Sequence, residues 1–188
     1  MAYPALVSIL IVIAIVVLIV GFGIVLYNRL VRLRNKVEEA WAQIEVQLQR
    51  RHDLIPNLVN TVKGYASHEK TVLEEVTAAR TAAVGAQGAQ AAGASEKSLD
   101  SALGRLFAVA ENYPELKADA NFRHLQEELS DTEDKVAFAR QYYNDNVREW
   151  NTRIASFPDM IAARAMGADK AEYFEAEGGA SAAPQVSF

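Results

Sequence analysis

The sequence of 188 residues contains no cysteine, which excludes a disulfide framework, a thiolate nucleophile and a cysteine-ligated zinc site among these residues. Basic residues are also fewer than acidic ones, 19 against 24, and the net charge of -5 argues against a nucleic-acid surface. A glycine-rich phosphate loop, a serine nucleophile elbow and a kinase signature are absent from it as well. We therefore expect no cofactor, no small-molecule substrate and no enzymatic activity.

One long hydrophobic run is present, because residues 5–27 read ALVSILIVIAIVVLIVGFGIVLY without a single charge. As a helix this run spans roughly 35 Å, which exceeds the ~30 Å hydrocarbon core of a bilayer. It is longer than the apolar part of a cleaved signal peptide, so an uncleaved transmembrane helix is predicted. Four basic residues follow it: Arg29, Arg32, Arg34 and Lys36. By the positive-inside rule, they predict that residues 1–4 lie outside and that the body lies in the cytoplasm.

An amphipathic pattern begins where the hydrophobic run ends. Apolar residues recur there at alternating spacings of three and four: Leu30, Leu33, Val37, Ala40, Ile44 and Leu48. Neither glycine nor proline separates the two patterns, so one continuous helix is predicted. The apolar phase also persists beyond Pro56 through Tyr65 and on to Val72 and Val76. It favours a kinked helix over a break at which Asp53 would cap a new helix.

The remaining sequence predicts further helices. Residues 82–97 are rich in glycine and alanine and predict a loop, with Ser95 as the cap of the helix that follows. The predicted helices cover residues 96–111, about 117–156 and 159–166, and residues 178–188 are expected to form a flexible tail. The expected fold is all-α: a single N-terminal transmembrane helix followed by an antiparallel helical bundle, residues 28–177, built on two long helices.

Histidines and charged residues are the first candidates for chemistry. His52, His68 and His124 lack the spacing of a zinc or di-iron site, so surface positions on helices are predicted for them. A metal or catalytic site that uses His52, His68 and nearby carboxylates is the third hypothesis for this protein, after the two given at the end of this subsection. Arg51 falls on the apolar stripe, where an arginine is costly unless paired. It predicts a buried ion pair with a carboxylate of the second long helix, for example Glu128 or Glu133.

Other polar residues suggest structural or binding roles. Amide and phenol groups in a bundle would fix its register, or would line a peptide-docking groove: Asn57, Asn60, Tyr142, Tyr143, Asn144, Asn146 and Asn151. A cluster of acidic residues is interpreted as a solvated face: Glu127, Glu128, Asp131, Glu133 and Asp134. The candidate structural or interaction residues are Arg50, Arg51, Asp53, Pro56, Asn57, Tyr65, Tyr113, Pro114, Tyr143 and Asn144.

Several motifs occur in one order along the chain: Tyr27-Asn28-x-Leu30-Val31, Val37-x-x-Ala40-Trp41, Arg50-Arg51-x-Asp53-Leu54-Ile55-Pro56-Asn57, Val62-Lys63-Gly64-Tyr65, His68-Glu69, Glu111-Asn112-Tyr113-Pro114, Tyr143-Asn144, Phe157-Pro158 and Val186-x-Phe188. Together they resemble the LemA family over nearly the whole chain. The resemblance implies a bacterial membrane protein with an N-terminal anchor and a helical-bundle body, and it transfers no catalytic residue. Links of that family with other membrane proteins, of a TPM-domain type and a membrane metallopeptidase type, imply a partner role.

The leading hypothesis is therefore a single-pass protein of the cytoplasmic (inner) membrane that acts as a structural or interaction scaffold. Its expected partners are the lipid bilayer and either further copies of the chain or another membrane protein. The long amphipathic stripe supports this hypothesis, because such stripes are readily shared between chains. The alternative is a membrane-tethered signalling adaptor that acts through the kink at Pro56.

Overall fold

The computed structural model describes residues 3–174, with side chains from Val7 onward, and this part of the chain is helical without a strand. Its helices are α1 (Tyr3–Tyr65), α2 (Lys70–Gly85), α3 (Ala89–Ala110), α4 (Pro114–Ala118), α5 (Ala120–Ala155) and α6 (Asp159–Met166). The predicted all-α class, with a long apolar N-terminal helix and a packed helical bundle, is confirmed. The predicted tail at 178–188 lies outside the described residues.

Helix α1 is continuous from the apolar run through Pro56 to Tyr65, as predicted. The predicted continuation of this phase to Val72 and Val76 is wrong, because a turn follows Tyr65 and both valines lie on α2. Pro56 lies inside this helix, so the alternative in which Asp53 caps a new helix is wrong. The large apolar side chains between Val7 and Val25 are at least half exposed. In the described part of the chain, α1 is the helix long and apolar enough to cross a membrane.

The chain divides into two compact units, of which the first contains residues 1–39 and 145–171. Leu30 and Leu33 of α1 form its core with Trp150 of α5 and Ala163 of α6. Helix α6 has the predicted bounds and ends at Gly167, whose φ of +63° is accessible to glycine without strain. The first part of the predicted stripe is thus buried within this unit.

The second unit contains residues 40–144 and, among the described residues, 172–174. Side chains of α1, α2, α3, α4 and α5 form its core, and the largest fully buried ones include Ile44, Ile55, Leu58, Leu99, Leu106 and Leu116. The stripes predicted for α1 and α5 lie largely on buried faces here. Burial of these faces is what stabilises the bundle, at roughly 25 cal/mol per Å² of apolar surface.

The loop predicted for residues 82–97 is wrong, because only residues 86–88 separate α2 from α3. Alanine is the best helix former, and the small residues at the start of α3 are buried on its packed face: Ala89, Ala92 and Gly93. Ser95 is no cap, since its hydroxyl donates to the Ala91 carbonyl one turn earlier. The turn itself requires Gly88, whose φ is +83°.

Helix α5 begins later than predicted because residues 114–118 form the separate helix α4. Pro114 occupies the first turn of α4, where its missing N–H costs nothing. Asp119 then caps α5, with its Oδ1 accepting the N–H of Phe122 at 2.9 Å. A turn at residues 111 and 112 precedes α4.

Candidate functional site

A buried cluster of charged side chains lies between α1 and α3 in the second unit. Arg51 Nη1 donates to Glu96 Oε2 at 3.0 Å, and Arg51 Nη2 donates to Asp100. His52 Nε2 lies 2.6 Å from the other oxygen, Glu96 Oε1. The side chains of Arg51, His52 and Glu96 are each only 6% exposed. One carboxylate therefore joins two consecutive α1 side chains inside the bundle.

The buried ion pair predicted for Arg51 is confirmed, but the predicted partners are wrong. Its carboxylates come from α3, whereas Glu128 of α5 lies 3.7 Å from the neighbouring Arg50. The partners were missed because Glu96 lies in the stretch predicted to be a loop and helix start. In the structure, α3 carries Glu96 on its buried face. A signal was present, because Glu96 stands in the same phase as Leu99 and Leu103.

His52 is hydrogen-bonded as predicted, but its predicted surface position is wrong, because it is buried. His68 and His124 are exposed, and His68 lies in the turn after α1 rather than on a helix. Among residues 3–174, no three side chains of histidine, aspartate or glutamate converge as a metal site would require. The histidines are therefore separate features of the bundle.

The proline in α1 is compensated by a contact that the sequence analysis missed. Pro56 has no N–H, so the carbonyl of His52 loses its helical donor. Arg80 of α2 supplies a replacement, because its Nε donates to the His52 carbonyl oxygen at 2.7 Å. An unpaired buried carbonyl is costly, so this contact allows the helix to continue through the proline. The signal available in the sequence was Arg80, which is the one arginine of α2.

The cluster combines two cationic arginines, Arg51 and Arg80, with the carboxylates of Glu96 and Asp100. Its two positive charges are matched by two negative ones. Most of its donors and acceptors are satisfied, although Arg51 Nε has no hydrogen-bond partner. The buried pair of Arg51 and Glu96 is stable because each charge is matched, and it holds α1 and α3 in one register. The cluster thus joins α1 to both α2 and α3.

Two predicted tyrosines bind carboxylates near helix ends in the second unit. Tyr65 donates to Asp119 Oδ2 at 3.0 Å, and Tyr113 donates to Glu69 Oε1 at 2.9 Å. The hydrogen bond to Asp119 raises the pKa of Tyr65, and that to Glu69 raises the pKa of Tyr113. The Phe122 N–H and the Tyr65 hydroxyl hold the pKa of Asp119 below its usual value.

Tyr143 and Asn144 of α5 bind an extended segment of their own chain. Asn144 Nδ2 donates to the Phe174 carbonyl at 2.8 Å, while its Oδ1 accepts the Phe174 N–H at 3.0 Å. The Tyr143 hydroxyl donates to the Glu172 carbonyl at 2.8 Å, and the Trp41 ring lies 6.2 Å from the Phe174 ring. Both side chains thus bind main-chain groups, as a peptide-docking groove would, with the chain itself as the peptide.

Asn151 makes the same two-point contact within the first unit. Its Nδ2 donates to the Ala171 carbonyl at 3.0 Å and its Oδ1 accepts the Ala171 N–H at 2.9 Å. The neighbouring Trp150 donates its indole N–H to the Asp169 carbonyl at 2.9 Å. A side-chain amide carries both a donor and an acceptor, so it can pair with the C=O and the N–H of one residue at the same time. The asparagines predicted for this role therefore include Asn151.

The other candidate residues lie on the surface. Asp53 accepts a hydrogen bond from Gln49 at 2.8 Å, and the Asn57 carbonyl accepts one from Thr61 at 2.9 Å. Asn57 and Asn60 are exposed and take no part in the segment-binding contacts. The acidic face predicted on α5 is solvated, apart from the half-buried Glu128.

An open groove in the second unit carries large apolar side chains. Ala42, Gln43, Val46 and Gln47 of α1 form one wall, and Asp134, Lys135, Phe138 and Ala139 of α5 form the other. Phe138 is 75% exposed and Val46 is 64% exposed, which is unusual for side chains of this size in a bundle. The sequence analysis did not single out this groove.

Comparison with known proteins places these features in a family. The model of the LemA family matches residues 40–188. Magnetosome protein MamQ 2 of Paramagnetospirillum magneticum is 27% identical over 175 residues, covering 79% of this chain and 64% of the relative. The magnetosome protein MamQ of Magnetospirillum gryphiswaldense matches equally over 174 residues. Protein LemA of Metamycoplasma hominis is 27% identical over 131 residues, covering 69% of this chain and 60% of the relative. The chain thus spans about three fifths of the length of these relatives.

Proposed function

The chain belongs to the LemA family, and we propose that it is a single-pass membrane protein whose helical body acts as a self-associating scaffold without catalytic activity. Helix α1 supports the anchor, because its exposed apolar part is long enough to cross a bilayer and the same helix continues into the bundle. The interior polar contacts described above bind other parts of the same chain, which supports a structural rather than a chemical role.

The proposed arrangement in the membrane follows the charge pattern. Residues 1–4 lie outside, residues 5–27 span the inner (cytoplasmic) membrane, and residues 28–177 form the body in the cytoplasm. The basic residues that follow the span support this orientation.

The observation that carries the scaffold proposal is the open groove with Val46 and Phe138. Its walls belong to two antiparallel helices, and a second copy would cover it by forming a four-helix arrangement. Both charge signs occur at the groove, because Asp134 and Lys135 are adjacent on α5. A two-fold axis would bring the aspartate of one copy near the lysine of the other, which makes the surface complementary to itself. The proposed occupant is therefore a second copy of this chain.

In-cell photocrosslinking of the full-length chain tests this proposal. A photoreactive phenylalanine analogue replaces Phe138, and a control variant carries it at the neighbouring Ala137, which is exposed on another face of α5. We expect adducts between two copies from position 138 and few from position 137. A dominant adduct with a different membrane protein at position 138 would replace self-association with an adaptor role. Equal yields at both positions, or none, would contradict the proposed surface.

A second candidate function, a signalling adaptor, is favoured by the contacts around Pro56. The Arg80 contact to the His52 carbonyl substitutes for a helical hydrogen bond, so a partner that displaces Arg80 would change the helix at this point. A Pro56→Ala variant that folds and retains its cellular function would contradict this alternative. Loss of function in a folded Pro56→Ala variant would favour it.

A further inference from the structure

The corner between α5 and α6, in the first unit, exposes two large apolar side chains. Phe157 is 77% exposed and Ile161 is 59% exposed. Ile161 and Arg164 are three residues apart on α6 and so lie on one side of it. A protein surface that exposes such side chains beside a cation resembles those that bind membrane interfaces.

Contacts of Asp159 place this corner close to the end of the apolar run. The Asp159 side chain is 2% exposed, and its Oδ2 lies 4.0 Å from Arg29 Nη1 and 3.5 Å from Arg153 Nη1. Arg29 is the second residue after Tyr27, which ends the apolar run. Since the first turn of α6 contacts Arg29, it lies at the level where α1 would leave the hydrocarbon.

Leu26, one residue before the end of the apolar run, is also buried. Leu26 belongs to the apolar run but is only 8% exposed, whereas its neighbours Val25 and Tyr27 remain more than half exposed. A helix alone leaves its side chains exposed, as it does for the earlier part of the run, so the cover over Leu26 comes from outside α1. Apart from the α1 segment, the first unit consists of residues 145–171, which contain the corner.

Charges around the corner suit the headgroup region. The nearby cationic side chains are those of Arg29, Arg153 and Arg164. The acid among them, Asp159, is buried and paired, so it presents no negative charge to the surroundings. Arginines next to exposed apolar side chains fit a surface of anionic lipids, where each cation contributes by attraction and each apolar side chain by burial.

We propose that the α5–α6 corner is a second point of membrane contact, with Phe157 and Ile161 inserted at the boundary between headgroups and acyl chains of the bilayer that α1 crosses. This inference rests on the proposed anchor. It makes the first unit a part of the membrane interface, held to the bilayer by α1 on one side and by the corner on the other.

Spin-label accessibility in vesicles tests this inference, and the absence of cysteine from the sequence makes single-site labelling direct. The full-length chain is reconstituted in vesicles of phosphatidylcholine and phosphatidylglycerol, with one label at Phe157→Cys or Ile161→Cys. Leu18→Cys reports on the anchor, and Ser101→Cys is an exposed control in the second unit. Collisions with oxygen, which concentrates in lipid, are compared with collisions with a water-soluble nickel chelate.

We expect the labels at 157 and 161 to gain oxygen collisions and lose chelate collisions relative to 101, though less than the label at 18. Values at 157 and 161 equal to those at 101, with position 18 in lipid, would overturn the corner contact and leave the anchor standing. Loss of collisions with both reagents would mean that protein covers the corner, which also overturns it. A label at 18 that is accessible to the chelate would refute the anchor, and the corner inference with it.

Discussion

Removing the arginine from the buried cluster should destabilise the bundle far more than removing its neighbour. In Arg51→Met, the Glu96 carboxylate stays 6% exposed and loses its matched charge, retaining only the contact with His52. At an effective dielectric constant near 20, unit charges about 4 Å apart attract each other by about 4 kcal/mol. Breaking a buried pair from one side typically costs about 3–5 kcal/mol, and we expect a loss in that range.

Arg50→Met is the matched control, because the residue is adjacent on the same helix and has the same chemistry. Its side chain is 47% exposed, and its contact with Glu128 is longer, at 3.7 Å. Exposed pairs of this kind contribute about 0–1 kcal/mol. The two variants therefore separate the effect of burial from the effect of a lost arginine.

Urea unfolding of the full-length chain in detergent, followed by circular dichroism at 222 nm, measures both free energies of unfolding. A further variant, Arg51→Met with Glu96→Gln, should recover much of the loss, since a neutral amide replaces the unmatched carboxylate and can still hydrogen-bond His52. If Arg51→Met cost no more than Arg50→Met, the cluster would not stabilise the bundle as argued.

Two further predictions concern the helix around the proline and the cap of α5. Arg80→Met should cost about 1–3 kcal/mol by leaving the His52 carbonyl without its donor, and less in a Pro56→Ala background, where residue 56 supplies an N–H. A double-mutant cycle measures this coupling, and additive free energies would contradict it. The pKa of Asp119 is lowered from 3.8, so its charge contributes stability at neutral pH that is lost as the pH falls through the lowered pKa. Below that pKa, the free energy of unfolding of the unmodified chain should approach that of Asp119→Asn. In an NMR titration, Tyr65→Phe should raise the pKa of Asp119, because the carboxylate loses a hydrogen-bond donor. An unchanged Asp119 pKa would argue against this hydrogen bond.

Local patterns in the sequence predicted α1 through Pro56, most of α3 and α5, and α6, but neither α4 nor the turn that separates α1 from α2. The apolar run and the stripe that follows it specify α1, and the phase preserved at Pro56 correctly indicated that the helix continues there. The bounds of α6 were also predicted, because Phe157-Pro158 and Gly167 are strong local signals for helix ends. The failure at residues 82–97 has a physical cause: small residues on a packed helix face carry no hydrophobic signal, although they allow close approach.

The sequence by itself determined the all-helical class, the single long apolar run and the burial of Arg51, since each follows from spacing along one helix. Only the tertiary structure decided which carboxylates match that arginine and which donor replaces the N–H missing at Pro56. It also decided that Asn144 binds the main chain of Phe174. These contacts join residues 28 to 49 positions apart. Periodicity specifies the face on which a side chain lies, whereas its partner depends on how the helices pack.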